Sequence, residues 1–123
     1  MLLDTSAWIE LFIKSGKGER VRERLKRESC YTSIISMAET ANWAEKQNLD
    51  GKELVKLITE LSQILHLTSD IAFLAGELNF KRKKTEKKWG MMDSLILATA
   101  QVYGLKILTK DPQFMDLPDA EIL

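Results

Sequence analysis

Asp93-Ser94-Leu95-Ile96-Leu97-Ala98-Thr99-Ala100-Gln101-Val102-Tyr103-Gly104-Leu105-Lys106-Ile107-Leu108-Thr109-Lys110-Asp111 decides how this chain is expected to fold. Leu95 to Tyr103 is apolar almost all round, and Ala98 and Ala100 permit close approach, which predicts a central helix buried on most sides. Gly104 ends that helix, Lys106 to Thr109 follows as a short strand, and Asp111-Pro112 makes a turn. The unit is helix, stop, strand, acid. Earlier segments repeat the alternation. Met1 to Asp4 reads as a strand, followed by a helix over Ser6 to Lys14, with Ala7, Leu11 and Trp8 inward, that ends at Ser15-Gly16. Glu19 to Glu28 is a charged helix with only Val21 and Leu25 apolar. Cys30 to Thr32 reads as the second strand. A helix opened by Ser33 or Ser36 then carries Met37, Ala38, Ala41 and Ala44 on one face. After Asp50-Gly51 comes an amphipathic helix with Leu54, Leu57, Ile58, Leu61 and Leu65, then a third strand over Ile64 to Thr68. Asp70 is placed to cap the next helix, which carries Ile71, Phe73, Leu74 and Leu78. Ala120 to Leu123 supplies a last strand.

Short strands separated by helices predict an α/β fold of three layers, α/β/α, around a parallel sheet of four to five strands. The length of 123 residues suits one domain over 1–123, and 45% hydrophobic content is enough for a core. Eighteen Lys and Arg balance eighteen Asp and Glu, so an anionic partner has to be drawn by local patches and not by net charge. No apolar run is long enough to span a bilayer, and Met1-Leu2-Leu3-Asp4 does not open like a secretory signal. With Cys30 as the only cysteine, no internal disulfide can form, which suits the cytoplasm. Cys30 itself reads as a buried thiol on a strand.

Parallel sheets gather ligands at the carboxyl ends of their strands. Asp4 ends the first predicted strand, and Asp111 follows the fourth. Glu39 lies in the first turns of the helix after the second strand, and Asp93 stands at the start of the central helix. Each also has a local explanation. Asp4 and Asp93 suit helix N-caps, Ser36-Met37-Ala38-Glu39 suits a capping box, and Asp111 before Pro112 suits a turn. Four caps need not share one edge of one sheet, however.

The residues around these acids resemble the PIN-domain ribonucleases, and among them the VapC toxins of VapBC toxin–antitoxin pairs. The resemblance rests on Leu2-Leu3-Asp4-Thr5-Ser6, on Ser33 through Ala38-Glu39, on Asp93-Ser94-Leu95-Ile96-Leu97-Ala98-Thr99-Ala100, and on Leu108-Thr109-Lys110-Asp111 with Phe114 beyond. It implies an acidic catalytic and metal-binding cluster of Asp4, Glu39, Asp93 and Asp111, with Ser6 and Thr109 as auxiliary hydroxyls. It also implies a homodimer and a small antitoxin that blocks the site. Leu97 departs from the pattern, standing where the family often has a small residue.

Phosphodiester hydrolysis suits such a set. A divalent cation polarises phosphoryl oxygen and lowers the pKa of its water. Mg²⁺ or Mn²⁺ prefers oxygen ligands, commonly one or two carboxylates with retained waters. Asp4 and Asp93 are the expected ligand pair, with Glu39 and Asp111 holding a second ion or ordered waters, and the expected products carry a 5′-phosphate and a 3′-hydroxyl. Zinc is disfavoured, because His66 and Cys30 each stand alone. His66, in an apolar stretch, is expected to be structural.

Lys81 to Lys88 holds six basic residues against one acid and leads directly into the Asp93 segment. Arg82, Lys83, Lys84, Lys87 and Lys88 are candidate contacts to an RNA backbone, with Trp89 free to stack on a base. The same run also reads as a solvated helix end. Trp8 and Trp43 are expected to be core. Two rival readings keep the α/β layout: a receiver-like module phosphorylated on Asp70, and a catalytically silent interaction domain of the same fold.

Overall fold

The computed structural model describes residues 1–123. In chain order the elements are β1 (Leu2–Leu3), α1 (Thr5–Phe12), α2 (Gly16–Arg27), β2 (Tyr31–Ser33), α3 (Ile34–Lys46), α4 (Gly51–Leu61), β3 (Gln63–Leu65), α5 (Ser69–Arg82), α6 (Met91–Tyr103), β4 (Ile107–Thr109), a 3₁₀ turn (Pro112–Phe114) and β5 (Ala120–Ile122). The strands form one sheet in the order β3-β2-β1-β4-β5, with every pairing parallel. Two residues suffice for β1 because it lies at the centre, where Leu2 pairs with both Tyr31 and Ile107.

Alternation along the strands divides the core between two faces. Leu2, Leu65 and Ile107 pack with Ile96, Leu97 and Ala100 of α6 and with Leu78 of α5. Leu3 and Leu108 face the other way, toward Ala7 and Trp8 of α1, Val21 of α2 and Ile58 of α4. The result is the expected α/β/α arrangement. Leu97 is fully buried within the first cluster, so this position of α6 accommodates a large side chain. Gly18 is required where α2 crosses α1, since a Cβ there would lie 2.2 Å from the Glu10 carbonyl oxygen. Gly104 ends α6 in the left-handed region, at φ 64°.

The structure corrects several local expectations. The helix through Leu54 stops at Leu61, because Ser62 turns extended and Gln63–Leu65 pairs with Tyr31–Ser33; sheet pairing outweighs the helical spacing of Leu65. The third strand accordingly lies earlier than Ile64 to Thr68. Thr68, not Asp70, caps α5, accepting from the Ile71 amide at 3.2 Å. Cys30 is buried but precedes β2. Ser33 caps α3, so Ser36 sits inside the helix and no capping box forms with Glu39. The fully buried positions of α3 are Ser36, Thr40 and Ala44, whereas Ala38 is exposed. His66 is exposed, in disagreement with a structural role.

From β1 the chain runs outward through β2 to β3, then crosses back through α5 and α6 to β4 on the other flank of β1. The strand order therefore reverses between β1 and β4, and the crevice beyond their carboxyl ends is where such a sheet offers a site. This order differs from the 2-1-3-4-5 order of receiver domains. Asp70 follows the edge strand β3 and is exposed, two strands away from Asp4. The receiver reading is thereby set aside.

Candidate active site

Asp4 ends the β1 ladder, its amide donating to the Leu108 carbonyl at 3.0 Å. Its extended backbone makes it the N-cap of α1, and its Oδ1 accepts from the Thr5 amide at 2.8 Å. Oδ2 turns toward β4 and accepts from Thr109 Oγ1 at 2.8 Å and from Ser6 Oγ at 3.1 Å. The two hydroxyls lie 3.1 Å apart and are themselves held, Ser6 by the Lys110 amide at 2.9 Å and Thr109 by the Asp111 amide at 3.0 Å. Cap and site are thus one residue. The cap bond fixes one oxygen, while a hydroxyl network links the other to the end of β4.

Glu39, on the second turn of α3, accepts from Thr5 Oγ1 at 2.6 Å. Sequence reading passed over Thr5. The only signal for it was its place beside Asp4, because the partner lies 34 residues away. Asp93 is the third residue of α6, and its Oδ2 accepts from the Gly90 amide at 3.0 Å. Asp111 caps the 3₁₀ turn, with Oδ1 accepting from the Gln113 amide at 2.9 Å. Asp4 is a cap and Asp111 part of a turn, as expected, whereas Asp93 is not a cap: Gly90 is the N-cap of α6, and Asp93 closes back on its amide from the third position.

Pairs of these acids influence one another electrostatically. Burial pushes the Asp4 carboxyl up to about 6, against the lowering effect of Thr109, Thr5 and Ser6, and the negative charge of Glu39 adds to the rise. Asp93 is also raised, first by burial and then by the charges of Asp111 and Glu39, with Gly90 and Arg82 opposing. Asp93 thus feels Glu39 and Asp111, and Asp4 feels Glu39. Among the bonds made by these four side chains, none comes from a lysine, arginine or histidine. No three acids are arranged to grip one ion directly. The donor set is all oxygen, which fits a hard cation that takes one or two carboxylates and keeps its waters.

The basic run divides in two. Lys83, Lys84, Lys87 and Lys88 are exposed. Arg82 is not free: its guanidinium grips Asp116 through two bonds, at 3.0 and 3.1 Å, and donates to the Gln113 carbonyl at 2.7 Å. The same guanidinium lies 4.2 Å from the centre of the Trp89 ring. Trp89 is fully buried, donates to Ser94 Oγ at 2.7 Å and packs on Phe114, so base stacking by Trp89 is ruled out in this conformation. Arg82 and Trp89 thus pack on each other and on the Pro112–Phe114 turn. Trp8 is core as expected, with its indole N–H donating to Thr32.

The PIN domain family matches residues 1–120. This chain belongs to the PIN-domain family. As a PIN domain it has solved structural relatives along nearly its whole length. A chain of a toxin–antitoxin complex from Klebsiella pneumoniae is 24% identical, with a TM-score of 0.78 over 98% of this chain and 94% of that one. A chain of VapBC2 from Rickettsia felis, bound to a DNA fragment from its promoter, is 18% identical with a TM-score of 0.78, covering 99% and 97%. VapC20 from Mycobacterium tuberculosis, a toxin that cleaves the sarcin–ricin loop, is 15% identical with a TM-score of 0.72, covering 95% and 94%. No curated protein matches the chain. No helix of this PIN domain is long and apolar enough to cross a membrane.

Proposed function

We propose that this PIN domain is a Mg²⁺- or Mn²⁺-dependent endoribonuclease, acting through Asp4, Glu39, Asp93 and Asp111, and that it is the toxin of a toxin–antitoxin pair. One observation supports the reading: of the four acids, Asp4 and Asp93 are raised first by burial and then by neighbouring carboxylates, and no basic side chain bonds any of the four. Such a set favours a bound positive charge. The ion, when bound, would supply Lewis-acid polarisation of the phosphate and a more acidic water. Asp4 and Asp93 are the proposed ligands, with Glu39 and Asp111 orienting waters or a second ion. Thr109, Ser6 and Thr5 hold the acids in place and keep Asp4 ready to ionise. The exposed Lys83, Lys84, Lys87 and Lys88, just before α6, suit the phosphates of an incoming RNA.

The toxin assignment draws on the relatives, which come from toxin–antitoxin complexes. A cavity of about 700 Å³ between α1, α2 and α4 offers Leu11, Phe12, Leu25, Leu57 and Leu61, with Lys14, Arg22 and Lys26 against Glu19 at its rim. Apolar walls and a mostly basic rim suit an apolar, acidic antitoxin segment. A homodimer working in the cytoplasm completes the proposal, and the mass of the protein in solution tests the dimer.

The deciding experiment incubates end-labelled structured RNA with wild type and with Asp4→Asn/Asp93→Asn, in EDTA and in Mg²⁺ or Mn²⁺. Metal-dependent cleavage by wild type, reduced at least about a hundredfold in the variant, is expected. Absence of both cleavage and metal binding would return the four acids to caps and turns.

A further inference from the structure

We infer that Arg82 is a positioning residue for the acidic site, clamping the Pro112–Phe114 turn against the end of α5 so that the Asp111 carboxylate is held toward Asp93; this rests on the nuclease reading above. The chain of contacts is continuous. Arg82, the last residue of α5, bonds residues 31 and 34 positions further along the chain. Its two terminal nitrogens take Asp116 in a bidentate grip, and one of them also holds the Gln113 carbonyl at 2.7 Å. Gln113 in turn holds Asp111, its amide donating to Oδ1 at 2.9 Å and its side-chain amide lying 3.4 and 3.5 Å from the two carboxylate oxygens. On the next residue, Phe114 packs against Trp89 with ring centres 4.8 Å apart, and Arg82 covers that same tryptophan.

The turn is therefore held in two ways, by a guanidinium fork and by an aromatic pair. The turn needs such a hold. It is one 3₁₀ turn of three residues with no ladder of its own, and it follows directly on the residue that must face the other acids. Arg82 itself is no surface cation: its side chain is only 11% exposed. A planar fork that makes two parallel bonds fixes orientation as well as distance, which an ammonium cannot do. Supporting partners of this kind commonly matter 10–100-fold to metal affinity or activity. Its neighbours Lys83, Lys84, Lys87 and Lys88 are exposed to a polyanion, with only a 3.5 Å bond from Lys83 to the Lys87 carbonyl and the Phe80 ring under Lys84. One basic run thus serves two purposes.

The test compares the full chain with Arg82→Ala, Arg82→Lys and Asp116→Asn. Three readouts are taken: Mn²⁺ binding by calorimetry without RNA, steady-state cleavage, and amide exchange at Gln113 in EDTA. The clamp predicts that Arg82→Ala lowers kcat about 10–100-fold, weakens Mn²⁺ binding, and leaves KM and its salt dependence near wild type. Asp116→Asn, at an exposed position, is expected to keep its fold and show a smaller loss in the same direction, not additive with Arg82→Ala. Arg82→Lys is expected not to rescue. A raised KM with a shallower salt slope and unchanged kcat would overturn the clamp and make Arg82 an RNA contact. Full rescue by Arg82→Lys would overturn it in favour of charge alone. If wild type neither cleaves RNA nor binds Mn²⁺, the nuclease reading fails while the clamp is still decided. Faster Gln113 exchange in Asp116→Asn supports it, and unchanged exchange overturns it.

Discussion

Asp4 and Glu10 sit at the two ends of α1, and both are almost hidden from solvent, at 6% and 4% exposure. Their settings are opposite. Glu10 is covered by side chains at shallow depth: Lys110 and Ser15 bond its carboxylate, and these bonds hold it below the usual carboxylate range. Asp4 lies deep, receives only neutral donors, faces Glu39, and is pushed up to about 6. Burial by itself therefore does not mark a functional acid. A buried acid given a cation is an anchor, in this case fastening the residue after β4 to α1. A buried acid given hydroxyls and other acids is a place where charge is still wanted.

The largest effect expected from this contrast is on stability against pH. A carboxyl near 6 in the folded protein and about 3.9 unfolded takes up its proton preferentially when folded between those values. Asp4 therefore contributes stability that is fully present below pH about 3.9 and is lost as pH rises through about 6, up to about 3 kcal/mol. Urea unfolding in EDTA is expected to show this loss for wild type. Asp4→Asn is expected to flatten the profile and to raise stability at pH 7 by about 1–2 kcal/mol, after deduction for its weakened hydrogen bonds. A profile that is equally steep in the variant would assign the titration to another group.

Cation binding offers the second comparison. Mn²⁺ at about a hundred times its Kd is expected to stabilise wild type by about 2.7 kcal/mol, seen as a rise of several degrees in Tm. Asp93→Asn is expected to reduce that rise, whereas Glu10→Gln is expected to leave it intact. An unchanged Tm across saturating Mn²⁺ counts against the cluster. Replacing Lys110 by Met is expected to act on the anchor alone, costing about 1 kcal/mol in denaturant unfolding. The figure is below that of a fully buried pair because the Lys110 side chain is 49% exposed. Smallest of all is the surface. Lys83→Ala/Lys84→Ala is expected to flatten the salt dependence of RNA binding by about one phosphate contact per lysine, with no change in stability; an unaltered slope would remove both from the RNA path.

Much of this molecule could be read from local chemistry. The layer pattern followed from helix and strand periodicities; Asp4 and Asp111 stood out because they fall just past predicted strands, and Glu39 and Asp93 because they lie in the first turns of predicted helices. Misreadings occurred where a long-range partner overrode a local preference. Leu65 had the spacing of α4 but was taken into the sheet by pairing with Ser33. Ser36 and Glu39 had the form of a capping box, yet Ser33 caps the helix and Glu39 bonds Thr5. Trp89 and Arg82 carried the marks of an RNA contact, but they pack on each other and on the distant Pro112–Phe114 turn.

The sequence by itself determined which residues could be acids at strand ends, which segments could be helices, and that no disulfide could form, because these depend on residue type and on neighbours a few positions away. Only the tertiary structure decided that Asp4 is joined to Thr109 while Glu10 is joined to Lys110, and that Arg82 is spent on Asp116 while Lys83 stays exposed. Those pairings span about 34 to 105 residues. The first two arise because a parallel sheet brings β1 and β4 side by side, and the third because the turn after β4 folds onto the end of α5, contacts no local pattern contains.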